Sequence, residues 1–326
     1  MSKRRYFDHD GVPTAEAVQL LAERRAQRAA APTTYVDPPP PVQCDTLWRG
    51  LLRDGQARVL VVRATVAVQE AARRLGTSVD ATRLLGELMV GTLLVRSALN
   101  PDERLQTYLE HHGPVGKVAV DAWQAGGIRA YVARPAALRA ETGFLVGEGS
   151  LHVSRTLAAK SYSSAVELDG DGVDDYLMNY LLESEQILSL VKTEVSVDAA
   201  GAVGHALGYL VQVMPEGTRE DIAHITANLE VLPPLHEGMA EDDPDGRAWA
   251  AALVQGFAWD QVAREEVAFR CRCSRDRMLS MLSSLPAREI AELSTGSEPL
   301  ELVCDYCRAS YAVKPRELKA WLAEPS

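Results

Sequence analysis

The stretch Phe269–Tyr311 contains two short cysteine motifs, FRCRCSRDR (Phe269–Arg277) and LVCDYCRAS (Leu302–Ser310), and the rest of the chain is read outward from them. Cys271 and Cys273 are spaced C-x-C, and Cys304 and Cys307 are spaced C-x-x-C about thirty residues later. Four thiolates brought together from two short turns are the donor set of a closed, tetrahedral Zn²⁺ site. Soft ligands without His or carboxylate disfavour magnesium and calcium and leave an iron–sulfur cluster as the other reading. Two pairs this far apart favour one structural zinc per chain.

Around the cysteines, residues 269–326 read as a small zinc module. CSRDRMLSMLSSL predicts a helix with Ser274 near its start, PAREIAEL a second with Pro286 in its first turn, and LELVCDYC–RASYAVKP a hairpin around the second pair. Upstream, residues 216–268 read as a helical linker. Thr218–Asp221 has the form of a capping box, and Ile222, Ile225, Leu229 and Leu232 follow at helical spacing. VLPPLHEG breaks that helix, and RAWAAALVQGFAW is apolar and helical up to Gly256. Such short helices do not persist alone in water, so the linker is expected to be metastable and held by packing.

Residues 44–215 predict an α+β core domain. DTLWRGLL reads as a short helix, ARVLVVRAT as an alternating strand, and VAVQEAARRLG as a helix stopped by Gly76. Ser78 and Asp80 offer caps for ATRLLGELMVGTLLVRSAL, an all-round apolar helix expected deep in the core. Strands follow in runs, with Gly126-Gly127 in a hairpin, and one further helix precedes two more strands. Residues 1–43 read as an extension with a thinly apolar helix and a stiff linker, APTTYVDPPPPV.

At 326 residues with 47% hydrophobic and 24% charged residues, the chain has enough for two or three domains with a normal core. A net charge of −11 opposes a general nucleic-acid binder, which needs a basic surface to displace counterions from phosphate. No apolar run is long enough to cross a bilayer, and the charged start lacks the apolar core of a secretory signal. Five cysteines, four of them in a metal pattern, point to a reducing cytoplasm. G-x-S-x-G, Walker A and H-E-x-x-H are all missing, so an enzyme is not expected. His111-His112 reads as a turn at a strand end, and His205, His224 and His236 as scattered structural or solvated residues. Cys44 reads as a buried small hydrophobe, with an intermolecular disulfide as the alternative.

The cysteine segment, including C-D-Y-C at Cys304–Cys307, resembles the zinc domain of heat-shock protein 33, the redox-regulated holdase family of bacteria. The resemblance extends through R-L-L-G-E-L (Arg83–Leu88), H-G-P-V (His112–Val115), E-S-E-Q (Glu183–Gln186) and L-V-Q-V-M-P (Leu210–Pro215), and does not cover residues 1–43. Two departures stand out. Arg308 occupies the position after C-D-Y-C where the family usually has Gly, and Ser161-Tyr162-Ser163-Ser164 replaces a Tyr-Gln-Gly turn.

The resemblance implies Zn²⁺ on Cys271, Cys273, Cys304 and Cys307 in a reduced, inactive form. It also implies Cys271–Cys273 and Cys304–Cys307 disulfides, zinc loss and linker unfolding on oxidation, and capture of unfolding client proteins by a homodimer. Two alternatives share the metal. One is a constitutive protein-binding factor with a purely structural zinc site. The other is an RNA- or ribosome-associated protein, motivated by Arg270, Arg272, Arg275, Arg277 and Arg308 near the ligands. Those arginines read equally as charge compensation for the metal site or as solvated side chains.

Overall fold

The computed structural model describes residues 45–139, 143–158, 160–239, 243, 245–282, 285, 288–290, 293 and 298–317. The expected extension over residues 1–43, Cys44 and half of the predicted helix at 286–293 lie outside them, and the described residues 288–290 and 293 are helical. The chain divides into two units, the first ending at Phe269 and the second starting at Arg270.

The first unit is built on one ten-stranded sheet in the order β7-β6-β3-β4-β5-β10-β1-β2-β9-β8. Its strands are β1 (Asp45–Leu52), β2 (Ala57–Arg63), β3 (Arg104–His111), β4 (Val118–Trp123), β5 (Gly127–Val132), β6 (Gly149–Leu157), β7 (Lys160–Glu167), β8 (Ser189–Val197), β9 (Val203–Val213) and β10 (Trp259–Phe269). Every pairing is antiparallel except β10 with β5, a parallel contact of two residue pairs, Ala268 with Gly127 and Phe269 with Ile128. Gly126, at φ +62°, makes that contact feasible. A Cβ there would stand 2.0 Å from the Glu266 carbonyl oxygen, and its own carbonyl accepts the Ala268 N–H.

Helices α1 (Thr65–Leu75) and α2 (Val79–Ser97), with α3 (Val173–Glu183), pack on one face. α2 is buried nearly all round, and Ser78 caps it by accepting the Ala81 N–H. Gly76 ends α1 in the left-handed conformation. The N-terminus of α1 has no local side-chain cap, and buried Asp45 accepts the Val66 and Ala67 N–H groups instead.

β2 departs from the expected alternation, because Val59, Leu60, Val61 and Val62 are all buried. Leu60 and Val62 join the core under α1 and α2, whereas Val59 and Val61 join a second core on the opposite face. That second core is closed by α4 (Arg219–Leu229), α5 (Leu235–Gly238) and α6 (Arg247–Leu253), which belong to the interval expected as the linker. Thr218 and Asp221 form the expected capping box. Ile222, Ile225, Leu235, Trp249, Leu253, Phe257 and Trp259 pack there with Trp48, whose ring meets that of Trp259 edge-on at 5.2 Å. Buried Asn228 ties α4 to the end of α6 by donating to the Leu253 and Gln255 carbonyls, both at 2.9 Å.

Two expectations are corrected. DTLWRGLL is strand β1, not a helix, because β2 and β10 hydrogen-bond it on both sides. The interval 216–268 is helical only as far as Leu253, and its last part is the interior strand β10. The polar sequence of β10 hides this role, since most of its residues are only partly buried.

The second unit contains α7 (Arg275–Leu282) and a hairpin of β11 (Leu300–Val303) and β12 (Ser310–Val313). Its core among the described residues is small: Leu279, Leu282, Ile290 and Val313, with Leu285, Leu300 and Leu302 against them.

Candidate metal centre

The second unit brings all four predicted cysteines together, with their sulfurs within 4.8 Å of one another. Cys271 and Cys273 lie between the end of β10 and the start of α7. Ser274 caps that helix, its Oγ accepting the Arg277 N–H and its carbonyl accepting the Met278 N–H. Cys304 and Cys307 lie in the turn of the β11–β12 hairpin. The Cys304 N–H bonds the Ala309 carbonyl, and the Arg308 N–H bonds the Cys304 carbonyl.

None of the four is in a disulfide; Cys271 and Cys273 are half-buried and Cys304 and Cys307 buried. Cys271 Sγ is 3.7 Å from Cys304 Sγ, and Cys273 Sγ is 3.4 Å from Cys307 Sγ. Sulfurs at about 2.3 Å from a common tetrahedral Zn²⁺ stand about 3.8 Å apart, so the separations fit such an ion. The Cys304 sulfur accepts backbone N–H bonds from Cys307 and Tyr306, and the Cys307 sulfur accepts one from Ala309. Burial nevertheless pushes both thiols above their ordinary range. A bound cation reverses that preference, because a coordinating thiol is deprotonated.

The hairpin turn requires a left-handed residue, and that residue is Arg308, at φ +59°. This is the position where the sequence departs from Gly, so the departure places a side chain in a conformation that glycine adopts without strain.

One contributor was missed by sequence reading. Tyr311, on β12, places its hydroxyl 3.1 Å from Cys273 Sγ, and that contact pushes its pKa up to about 12. Its position four residues after Cys307 on a predicted strand was the only available signal. Of the five arginines, Arg275 donates to Glu317 at 2.8 Å, Arg308 is 3.8 Å from Asp305, and Arg277 donates to the Arg272 carbonyl. For Arg275 and Arg308 the charge is therefore met by a carboxylate.

Elsewhere, His111 Nδ1 accepts the Gly113 N–H in the expected turn, and buried His224 packs on Phe257. Glu185 supports the fold by accepting from Arg155 and the Tyr180 hydroxyl. His205 and His236 are not scattered: both meet Glu194. No helix among the described residues is long and apolar enough to cross a membrane.

The family model described as Hsp33 protein matches residues 45–314. A 33 kDa chaperonin from Thermus thermophilus is 35% identical over 297 residues, covering 85% of this chain and 86% of that protein. A 33 kDa chaperonin from Syntrophotalea carbinolica is 34% identical over 290 residues, covering 86% of this chain and 99% of its own length. The crystal structure of a 33 kDa chaperonin from Thermotoga maritima superposes with a TM-score of 0.74 at 27% identity, covering 86% of this chain and 98% of that one.

Proposed function

The chain belongs to the Hsp33 protein family, and from that membership and its four-cysteine centre we propose that it is a redox-regulated, ATP-independent holdase. The observation that carries the reading is the convergence of four cysteine thiols, none of them in a disulfide, in a unit whose apolar core among the described residues is very small. Cys271, Cys273, Cys304 and Cys307 hold one Zn²⁺ in the resting form. Bound Zn²⁺ supplies folding free energy, about 10–16 kcal/mol in small zinc peptides, against a total domain stability of about 5–15 kcal/mol.

Peroxide takes two electrons from each pair of thiolates. Cys271 couples to Cys273 and Cys304 to Cys307, and each peroxide, taking up two protons, leaves as two waters. The oxidised sulfurs are no longer ligands, and the second unit loses its main constraint. β10 ends at Phe269, two residues before Cys271; it pairs with β1 along most of its length but with β5 through only two residue pairs at its end nearest the cysteines. Release of this strand loosens α4, α5 and α6, none of which is long enough to persist alone. Leu235, Trp249, Leu253, Phe257 and Trp259, buried in the resting fold, then become a client surface together with Leu232, Trp48, Val59 and Val61. The clients are unfolding proteins of the cytoplasm, and the activated form is a homodimer. No catalytic step is involved.

The test is suppression of aggregation of a heat-unfolding client without ATP. Oxidised protein suppresses it at near-stoichiometric amounts and the reduced, zinc-loaded protein does not. Equal suppression by both forms would replace this reading with constitutive binding.

A further inference from the structure

β8 and β9 pair Ser196 with His205 and Glu194 with Leu207, which sets Glu194 and His205 diagonally on one face of the sheet. The chain returns over that face after Pro233-Pro234, and α5 adds His236. One carboxylate oxygen, Glu194 Oε1, is 3.2 Å from His205 Nε2 and is also bonded by His236 Nδ1. The imidazoles are stacked with centroids 5.1 Å apart and planes within 4°. One donor atom from each residue falls within 4.8 Å of the other two.

We propose that Glu194, His205 and His236 form a second divalent transition-metal site, separate from the four cysteines, which fastens α5 to β8 and β9. Two imidazoles and a carboxylate are a nitrogen–oxygen set that suits Zn²⁺, Co²⁺, Ni²⁺ or Cu²⁺ and not calcium or magnesium. Three protein ligands leave a position for water, and the partial exposure of all three residues gives the ion an entry path.

The other nitrogen of His236, Nε2, is 3.8 Å from a Glu237 carboxylate oxygen, a second carboxylate behind a ligand imidazole. Arg63 is the opposing charge nearby. Its guanidinium donates to the Met239 carbonyl at 2.6 Å. Leu235 and Met239, one to three residues from His236, are buried in the second core, so an ion here holds shut the layer that the proposed switch must open.

The test uses the full reduced chain carrying one Zn²⁺ on its cysteines, titrated with Zn²⁺ alone by calorimetry and followed by thermal unfolding. The wild type takes up a second equivalent and its unfolding midpoint rises by about 5 °C at saturating metal. In His236→Ala and in the near-isosteric Glu194→Gln, binding of the second equivalent weakens about tenfold or more and the midpoint shift disappears, while the first equivalent is kept. A wild type that binds only one zinc, or variants that keep the second at wild-type affinity, would overturn the site. The first equivalent is read separately through thiol-sensitive release, so failure of the cysteine centre is distinguishable from failure of this one.

Discussion

The Tyr311 hydroxyl stands 3.1 Å from Cys273 Sγ, so a side chain outside the cysteine motifs touches a sulfur of the four-cysteine cluster. An O–H donated to a ligand sulfur steadies the thiolate that binds metal. Outer-shell partners of this kind are worth about 10–100-fold in metal affinity. Tyr311→Phe is therefore expected to weaken zinc binding about tenfold in a chelator competition while leaving the far-ultraviolet spectrum of the loaded protein unchanged.

The left-handed Arg308 is a local cost in the turn that carries Cys304 and Cys307. Arg308→Gly removes the strain but makes the unfolded chain more flexible and loses the 3.8 Å pair with Asp305. The net expectation is a gain of about 1 kcal/mol or less for the second unit. It appears as slower zinc loss to a chelator at fixed temperature.

Asn228 is the buried link between α4 and the end of α6. Asn228→Ala takes its amide away from the Leu253 and Gln255 carbonyls and costs about 2 kcal/mol. The layer over the second core then opens at lower urea, read by Trp48, Trp249 and Trp259 fluorescence. If opening this layer is the activating step, the reduced variant also gains part of the client-binding activity.

Glu87, on α2, has its pKa raised to about 7, mainly by burial and secondly by the Asp174 carboxylate. The folded state thus prefers the protonated acid. Its contribution to stability is fully present below about pH 4.5 and is lost as pH rises through about 7. Asp45, raised to about 6 mainly by burial, adds in the same direction. The first unit is expected to lose on the order of 2 kcal/mol between pH 5.5 and 8, and Glu87→Gln to remove most of that loss. Urea unfolding at the two pH values is the check.

Much of this was readable in the residues because the signals were local. Gly76, Ser78, Gly126 and the Thr218–Asp221 box each act within a turn of chain, and the structure uses each as expected. The C-x-C and C-x-x-C motifs also carry their spacing with them. What could not be read depends on partners distant in sequence. β1 becomes a strand because β10, more than two hundred residues later, completes its ladder. β10 shows little apolar pattern because the backbone of its neighbours, not burial, defines it. Glu194, His205 and His236 form no motif, and only a sheet register and a returning segment bring them together.

The central claim is that oxidation of the four cysteines discharges the metal and opens the linker layer. The direct measurement is zinc release from pure, reduced, zinc-loaded protein during peroxide treatment, read with a colorimetric chelator alongside tryptophan fluorescence. To isolate the cysteine centre, it is made on a His236→Ala background. The account predicts release of about one zinc per chain, in step with exposure of Trp48, Trp249 and Trp259, and reversal by thiol reductant and added zinc. Zinc that stays bound while the thiols are exposed to peroxide, or that leaves without any change at the tryptophans, would contradict it.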